Sequence, residues 1–407
     1  MKVEVLARSF RLLICTQFLT VFNDNAFKQV VLLMALAAND LGGDPQARAG
    51  LVFALPFLLF LVLAGDIADR VSKRHLLVVT KWVEAGVMAL ASYALWLGNL
   101  NLGLVALFLM GTQSAFLGPA KYGIVPELVD NTKIARANGF LQASVMVGIL
   151  LGTGAAGLFR TVLGEELWIA GVVFTMIAIV GALIAMRIET IPAADPGRTI
   201  RFNPFGRFRD SIRLARVTPG LFPAMIGHGI FWLVGGLGLF AWNEVGIRDL
   251  KVHEGWWTAG LASLSLSIGV GSLVAGYLCR ERPRPSFTTR GAAAMAIGYL
   301  AIALGPHDPW FIWSCSLLSN FFMGFYLIPL KSIIQQIPAA TDKGRLQGAS
   351  QMIDWIFIVA ASLVKEGLSR INVGGTDTFL VMSGLMAATA IGMRMLRPLA
   401  KLRLPAD

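Results

Sequence analysis

The sequence predicts an all-α integral membrane protein with twelve transmembrane helices arranged as two six-helix bundles. Two observations carry this prediction. Hydrophobic residues make up 56% of the 407 residues and charged residues only 14%, far below the roughly 25% charge of soluble domains. Apolar stretches long enough to cross a bilayer also recur along the whole chain, and the mean hydropathy is +0.68.

Twelve apolar stretches fit the length of about 20 residues that a spanning helix needs, and most are separated by short turns carrying Gly, Pro, Asn or Asp. They are 10–38, 47–68, 75–96, 102–122, 134–159, 166–188, 219–244, 255–279, 287–305, 309–333, 345–366 and 376–396. The first stretch is too long for the apolar part of a signal peptide and contains Asp24 and Lys28. It therefore predicts a retained first helix.

One long connector, residues 187–220, is basic, contains proline and separates six spans from six spans. We predict an N-terminal bundle at 1–188, a basic cytoplasmic linker at 189–218 and a C-terminal bundle at 219–407. Two interpretations of the linker stay open, contact with anionic headgroups and an amphipathic strap at the water boundary. Its arginines are Arg198, Arg201, Arg207, Arg209, Arg213 and Arg216.

The basic residues predict the orientation of the chain. With a cytoplasmic N-terminus, 25 of the 35 Lys and Arg residues fall on the cytoplasmic side and six on the opposite side. This asymmetry indicates a multi-pass protein with both termini in the cytoplasm. It also accounts for the net charge of +11 without a nucleic-acid partner.

Four lysines have no role in orientation because they lie within spans or at span ends: Lys28, Lys81, Lys121 and Lys331. Two of them belong to an internal repeat. Pro119-Ala-Lys121 at the end of span 4 is echoed by Pro329-Leu-Lys331 at the end of span 10, at an offset of 210 residues. Six-span halves repeated in one orientation resemble the major facilitator transporters, in which a substrate cavity lies between the halves.

The loop "GDIADRVSKRH" at 65–75 follows span 2. It resembles the signature G-x-x-x-D-R-x-G-R-R of the major facilitator superfamily, with Ser72 where glycine is usual. A glycine permits close helix approach, and a carboxylate can sit at a neighbouring helix N-terminus. In the superfamily this charge network latches the cytoplasmic side in one state. The resemblance thus implies a conformational switch formed by Gly65, Asp69, Arg70 and Arg74.

Three further stretches are more specific: "FNDN" in span 1, "GPAKYGIVPEL" leaving span 4 and "ARANGFLQAS" opening span 5. Together they resemble the bacterial lysophospholipid transporter family of the major facilitators, most strongly over residues 15–160. The resemblance implies inward flipping of lysophospholipids, mainly lysophosphatidylethanolamine, across the bacterial inner membrane by alternating access. It also implies a cytoplasmic acyltransferase or acyl-carrier-protein synthetase as partner.

The resemblance carries Asp24, Asn25, Lys121 and Tyr122 over as substrate-binding residues. Some family members have a basic residue midway along span 7, where this sequence offers only His228, nearer the cytoplasmic end. The partner of Asp24 in the second half is therefore left open.

The residues of span 1 make sense for this function on their own. Asp24 lies about 21 Å along the helix from residue 10, near the middle of the membrane. Lys28 shares its face at i+4. A carboxylate and a lysine in one cavity can meet the ammonium and the phosphate of a phosphoethanolamine headgroup. The alternative is a pair satisfied within the helix that binds nothing.

Other polar residues within spans have more than one interpretation. Asp354 is predicted as a proton site, a headgroup site or the partner of Lys28 in the second half. His228 is a candidate that titrates near neutral pH or is simply hydrogen-bonded. Lys81 and Glu84 stand at i, i+3 and are predicted to be structural.

No catalytic, nucleotide-binding or metal-binding spacing occurs among the four histidines and three cysteines, so the sequence predicts neither an enzyme nor a cofactor. We expect a monomer. Two alternatives remain open: a proton-coupled exporter of amphipathic drugs, with Asp24 or Asp354 carrying the proton, and a membrane scaffold or receptor for an acyltransferase.

Overall fold

A computed structural model describes residues 2–37, 45–197, 199, 203–279 and 284–394 of the chain. Some predicted features lie outside these ranges: the last residue of span 1, the end of span 12 beyond residue 394, Arg198 and Arg201 of the linker, and the C-terminal tail.

The described residues form thirteen α-helices and no β-strand. The helices are α1 Lys2–Ala37, α2 Pro45–Arg70, α3 Lys73–Trp96, α4 Leu100–Leu128, α5 Ile134–Leu163, α6 Trp168–Ala185, α7 Pro204–Val217, α8 Leu221–Asn243, α9 Glu254–Leu278, α10 Pro285–Leu304, α11 Pro309–Gln336, α12 Lys343–Arg370 and α13 Gly375–Gly392. A π-helical turn, Glu244–Asp249, continues α8.

Twelve of these helices correspond to the twelve predicted spans, so the predicted all-α membrane fold is confirmed. The thirteenth, α7, lies in the connector. Within the described ranges, nine helices are long and apolar enough to cross a membrane. The remaining predicted spans are the helices α1, α12 and α13, and α1 and α12 carry Asp24, Lys28 and Asp354 in their interior.

Several helices extend beyond the predicted spans, among them α1 at its start and α4, α5, α11 and α12 at their ends. The helix α4 continues to Leu128 through Pro119 and Pro126, and α11 continues to Gln336 through Pro329. A proline removes one intrahelical hydrogen bond. In an apolar environment the neighbouring backbone groups find no water, so the helix persists on either side of the proline.

The contacts divide the chain into two compact units. Unit 1 comprises the described residues of 1–129, 147–211 and 339–352, and unit 2 those of 130–146, 212–338 and 353–407. In unit 1, α3 packs on α4 and α6, α2 packs on α4, and α1 packs on α4 and α6. In unit 2, α10 packs on α11 and α13, α9 packs on α11, and α8 packs on α11 and α13. The same pairing pattern thus recurs, as an internal repeat requires.

Each unit has its own buried contacts. The centre of unit 1 is apolar and holds Phe27, Met88, Leu107 and Phe174, all completely buried. In unit 2, Trp242 of α8 and Trp257 of α9 stack with ring centroids 4.0 Å apart and an interplanar angle of 11°.

The indole N–H of Trp242 donates to the backbone carbonyl of Trp257 at 3.2 Å, and the indole N–H of Trp257 donates to the backbone carbonyl of Trp242 at 2.7 Å. Two large rings are therefore fixed in one arrangement.

Gly246 lies against this tryptophan pair, and a Cβ placed there would overlap the indole of Trp257. We therefore expect Gly246→Ala to destabilise the protein by about 1–3 kcal/mol, as overpacked cores do. Thermal unfolding of the purified protein in detergent measures the loss. Gly384→Ala is the matched control, because nothing lies within 4 Å of a Cβ at that position. Equal stability of the two variants would contradict this packing.

Candidate functional site

The polar segment of α1 places Asp24 half-buried in unit 1. The hydroxyl of Ser114 on α4 lies 2.7 Å from Asp24 Oδ2. The other carboxylate oxygen, Oδ1, is buried and accepts no hydrogen bond from the described residues. A buried carboxylate oxygen without a donor is costly. Asp24 therefore has an open position for a hydrogen-bond donor.

Lys28 shares the face of Asp24 but makes other contacts. Its Nζ lies 3.4 Å from Asn25 Oδ1 and 5.5 Å from the centroid of the Phe53 ring. The amide of Asn25 donates to the carbonyl of Val21 at 2.8 Å. Between the described side chains of Asp24 and Lys28 there is no ion pair within 4.0 Å. The two charges of α1 are thus close without neutralising each other through direct contact.

A second carboxylate, Glu84 of α3, is completely buried next to this segment. The Nζ of Lys81 lies 2.7 Å from Glu84 Oε2, and both side chains are 0% exposed. Three polar side chains complete the surroundings of Glu84: Thr20 and Gln113 at 3.3 Å from Oε2, and Asn23 at 3.3 Å from Oε1. Glu84 and Lys81 therefore form a closed structural pair, in contrast to Asp24.

Removing one partner of this pair leaves a buried charge without a counter-ion. We expect Glu84→Gln to destabilise the protein by about 3–5 kcal/mol. The double variant Lys81→Met with Glu84→Gln removes both charges and recovers most of that loss. Thermal unfolding of the three proteins in detergent gives the comparison. A double variant less stable than Glu84→Gln would contradict the pairing.

Two lysines lie near the C-terminal end of α4. Lys121 Nζ lies 4.6 Å from the ring centroid of Tyr122. Its charge is also close enough to act on Asp24. Lys73 of α3 is 1% exposed and its Nζ lies 2.6 Å from Glu127 Oε1. A Cβ at Gly123 would lie 3.0 Å from Cε of Lys73.

In unit 2 the structure brings together two residues that are 126 positions apart. His228 Nδ1 of α8 lies 2.7 Å from Asp354 Oδ1 of α12, and their side chains are each 8% exposed. Lys331 of α11 is buried and its charge acts on Asp354. Tyr326 donates its hydroxyl to the carbonyl of Gly227 at 2.6 Å. The predicted pairing of Asp354 with Lys28 joins residues of different units and stays a prediction.

The signature loop after α2 makes a buried helix-terminal contact within unit 1. Asp69 is 0% exposed and accepts hydrogen bonds from the backbone N–H groups of Gly344 at 2.7 Å and Arg345 at 2.9 Å. These N–H groups begin α12, where they have no intrahelical acceptor. The carboxylate therefore satisfies two orphan donors and faces the positive end of the helix dipole.

Gly65 lets the backbones approach at this contact. A Cβ at Gly65 would lie 2.5 Å from the carbonyl oxygen of Gly344 and 3.0 Å from Arg345 Cα. Neighbouring charges attach the connector: Arg207 of α7 lies 2.6 Å from Asp66, and Arg345 Nε lies 3.0 Å from Ser211.

The two predicted basic residues of this loop differ in their surroundings. Arg74 donates to the carbonyl oxygens of Met186 at 2.5 Å and Ile188 at 3.3 Å, just after the end of α6. Arg70 is exposed at the end of α2.

Asp69→Asn replaces one of two acceptor oxygens by a donor at this helix terminus. One of the two backbone N–H groups then loses its partner, and we expect a loss of about 1–3 kcal/mol in stability. Thermal unfolding in detergent measures this effect. Asp210→Asn on α7 is the control because Asp210 is exposed. A midpoint for Asp69→Asn equal to that of the control would mean that the contact contributes nothing.

Sequence reasoning missed Gln113, Ser114 and Asp66. Gln113 and Ser114 stand together in the apolar span 4, and such a polar pair at mid-span is the signal that could have identified them. Asp66 stands within the signature loop but outside its motif, so only the fold reveals its contact with Arg207.

These features define a multi-pass membrane transporter: a helical membrane fold with an internal repeat, charges buried within spans and a buried carboxylate at a helix N-terminus. The chain belongs to the major facilitator superfamily, whose sequence model matches residues 13–362.

Similar relatives carry the name lysophospholipid transporter LplT. The protein from Salmonella typhimurium is 31% identical over 337 residues, 79% of this chain and 78% of the relative. The protein from Klebsiella pneumoniae is 28% identical over 334 residues, 79% of either chain. The predicted resemblance to the bacterial lysophospholipid transporter family is thereby confirmed.

Solved structures share the fold at low sequence identity. The human organic anion transporter MFSD10 superimposes with a TM-score of 0.79 at 11% identity, covering 95% of this chain and 99% of the other. The transporter FucP in its outward conformation gives a TM-score of 0.75 at 16% identity, covering 95% and 97%.

Proposed function

We propose that the chain transports lysophospholipids, with lysophosphatidylethanolamine as a main substrate, from the outer to the inner leaflet of the bacterial inner membrane by alternating access. The observation that carries the proposal is the open position at Asp24: a half-buried carboxylate in the membrane, with one oxygen lacking a donor. The names of the relatives support the same substrate class.

The chemistry of the headgroup matches the charges around Asp24. An ethanolamine ammonium carries three N–H donors, and a carboxylate is the acceptor with the strongest preference for them. Lys28 and Lys121 supply cations for the phosphate. Lysine is suited to this role because its ammonium acts as a point charge toward phosphate oxygens.

The physical task is to carry a charged headgroup through the apolar layer. Transfer of an ionised group into hydrocarbon without partners costs far more than thermal energy supplies. A transporter lowers this barrier when its own charges replace the water around the headgroup. The single acyl chain needs no such site because it is already soluble in lipid.

The topology and partners complete the proposal. We propose that both termini are cytoplasmic, since 25 of 35 basic residues fall on that side of the predicted topology. The flipped lysolipid then faces a cytoplasmic acyltransferase or acyl-carrier-protein synthetase that re-acylates it. We propose further that the protein works as a monomer, without a cofactor and without catalytic activity of its own.

Uptake of labelled lysophosphatidylethanolamine into vesicles containing the purified protein tests the proposal. We expect Asp24→Ala and Lys121→Ala each to reduce the initial rate by at least about tenfold, since each removes one charged contact worth about 1.5–3 kcal/mol. Asp377→Asn is the control because this carboxylate is exposed in the first turn of α13. A wild-type protein that exports a cationic dye and moves no lysolipid would establish the drug exporter instead.

A further inference from the structure

If Asp24 is deprotonated, the hydrogen bonds that link it to Ser114 and Gln113 lack one hydrogen. Ser114 Oγ lies 2.7 Å from Asp24 Oδ2 and 3.0 Å from Gln113 Oε1. A serine hydroxyl has a single hydrogen, so it donates to one of these oxygens and faces the other without a hydrogen between them.

The orientation of Gln113 is fixed by its other neighbour. Its Nε2 lies 3.3 Å from Glu84 Oε2, and the reversed amide would instead point an oxygen at this buried carboxylate. Glu84 Oε2 accepts from Lys81 at 2.7 Å and from Thr20 at 3.3 Å, so in this arrangement it acts as an acceptor and supplies no hydrogen to Gln113. Gln113 Oε1 therefore needs the hydrogen of Ser114.

A proton on Asp24 completes the chain. With the proton on Oδ2, Asp24 donates to Ser114, Ser114 donates to Gln113 Oε1, and Gln113 donates to Glu84. Every oxygen in this series then has a hydrogen. We propose that Asp24 binds a proton in the empty transporter and that the ammonium group of the lysolipid displaces it, an inference that rests on the proposed function.

The charged groups around Asp24 fit this exchange. Those within electrostatic reach are Lys28 on its own helix, Glu84 and Lys81 on α3, and Lys121 on α4. Lys81 and Glu84 neutralise each other at 2.7 Å, and Lys28 contacts Asn25 and Phe53. Among the described side chains of α2, α5 and α6, none that titrates contacts Asp24.

The exchange balances in atoms and charge. The O–H bond of protonated Asp24 breaks, its proton passes to water, and the carboxylate accepts an N–H of the ammonium. The ammonium has three N–H donors, so it can also donate to Asp24 Oδ2, which would otherwise face Ser114 Oγ without a hydrogen between them. A headgroup without an amine has no cation to replace the proton.

Proton release on binding tests this inference. The full-length protein in neutral detergent and weak buffer is mixed with lysophosphatidylethanolamine or lysophosphatidylglycerol, while an indicator dye follows pH. We expect a proton to leave for each lysophosphatidylethanolamine bound, and none for the glycerol lipid. Asp24→Asn should release none with either lipid, and Asp377→Asn should behave as the wild type.

The outcomes separate the two proposals. Binding of lysophosphatidylethanolamine without proton release, or equal release by both lipids, overturns the inference and leaves the proposed function intact. Failure of lysophosphatidylethanolamine to bind overturns both. An infrared measurement on the wild type needs no variant: the C=O stretch of a protonated carboxyl group should be present in the empty protein and disappear when the lipid binds.

The pH dependence of lysolipid affinity distinguishes a proton-binding role of Asp24 from a purely structural one. At pH values below that at which Asp24 loses its proton, the affinity for lysophosphatidylethanolamine should increase roughly tenfold for each unit by which the pH is raised. The reason is that one proton competes with the lipid for Asp24. In Gln113→Leu, Ser114 no longer has Gln113 Oε1 as an acceptor and can donate its hydrogen to the Asp24 carboxylate. The pH range in which the affinity increases should therefore move to lower pH. An unchanged pH profile in Gln113→Leu would contradict the hydrogen count.

Discussion

The ion pair between Lys81 and Glu84 is the interaction on which the cluster of polar side chains around Asp24 depends. Both side chains are completely buried, and the bilayer offers no water to replace a missing partner. Glu84 gathers Thr20, Asn23 and Gln113 around it, and Gln113 in turn faces the hydroxyl that contacts Asp24. The ion pair thus helps to position Asp24, whose Oδ1 accepts no hydrogen bond from the described residues. The first is structural and the second is available for a ligand.

Close backbone approach is the other constraint on the structure. Gly65 lies where a side chain would collide with the backbone of Gly344, next to the buried carboxylate of Asp69. At Gly65 the approach brings Asp69 onto the N-terminus of α12, where two backbone N–H groups need an acceptor. Small residues and charges therefore act together in this protein: the glycine permits the contact, and the carboxylate stabilises it.

Much of this organisation could be predicted from the sequence, because the apolar spans, the basic loops and the signature motifs are local patterns. The twelve helices follow from span length, and Asp24, Lys121 and Asp69 follow from motifs. The contacts between distant residues could not be predicted. Nothing local pairs His228 with Asp354, Asp66 with Arg207, or Ser114 with Asp24, since each contact depends on how helices pack. The end of α4 also escaped prediction, because the helix continues through Pro126 to Leu128 where the backbone finds no water.

We propose that Asp24 receives the ammonium of a zwitterionic lysolipid. An experimentally determined structure with lysophosphatidylethanolamine bound tests it most directly. We expect the ammonium nitrogen within hydrogen-bond distance of Asp24 Oδ1, with the phosphate on the side of Lys28 or Lys121. A headgroup bound elsewhere, while Asp24 contacts only Ser114, would contradict it.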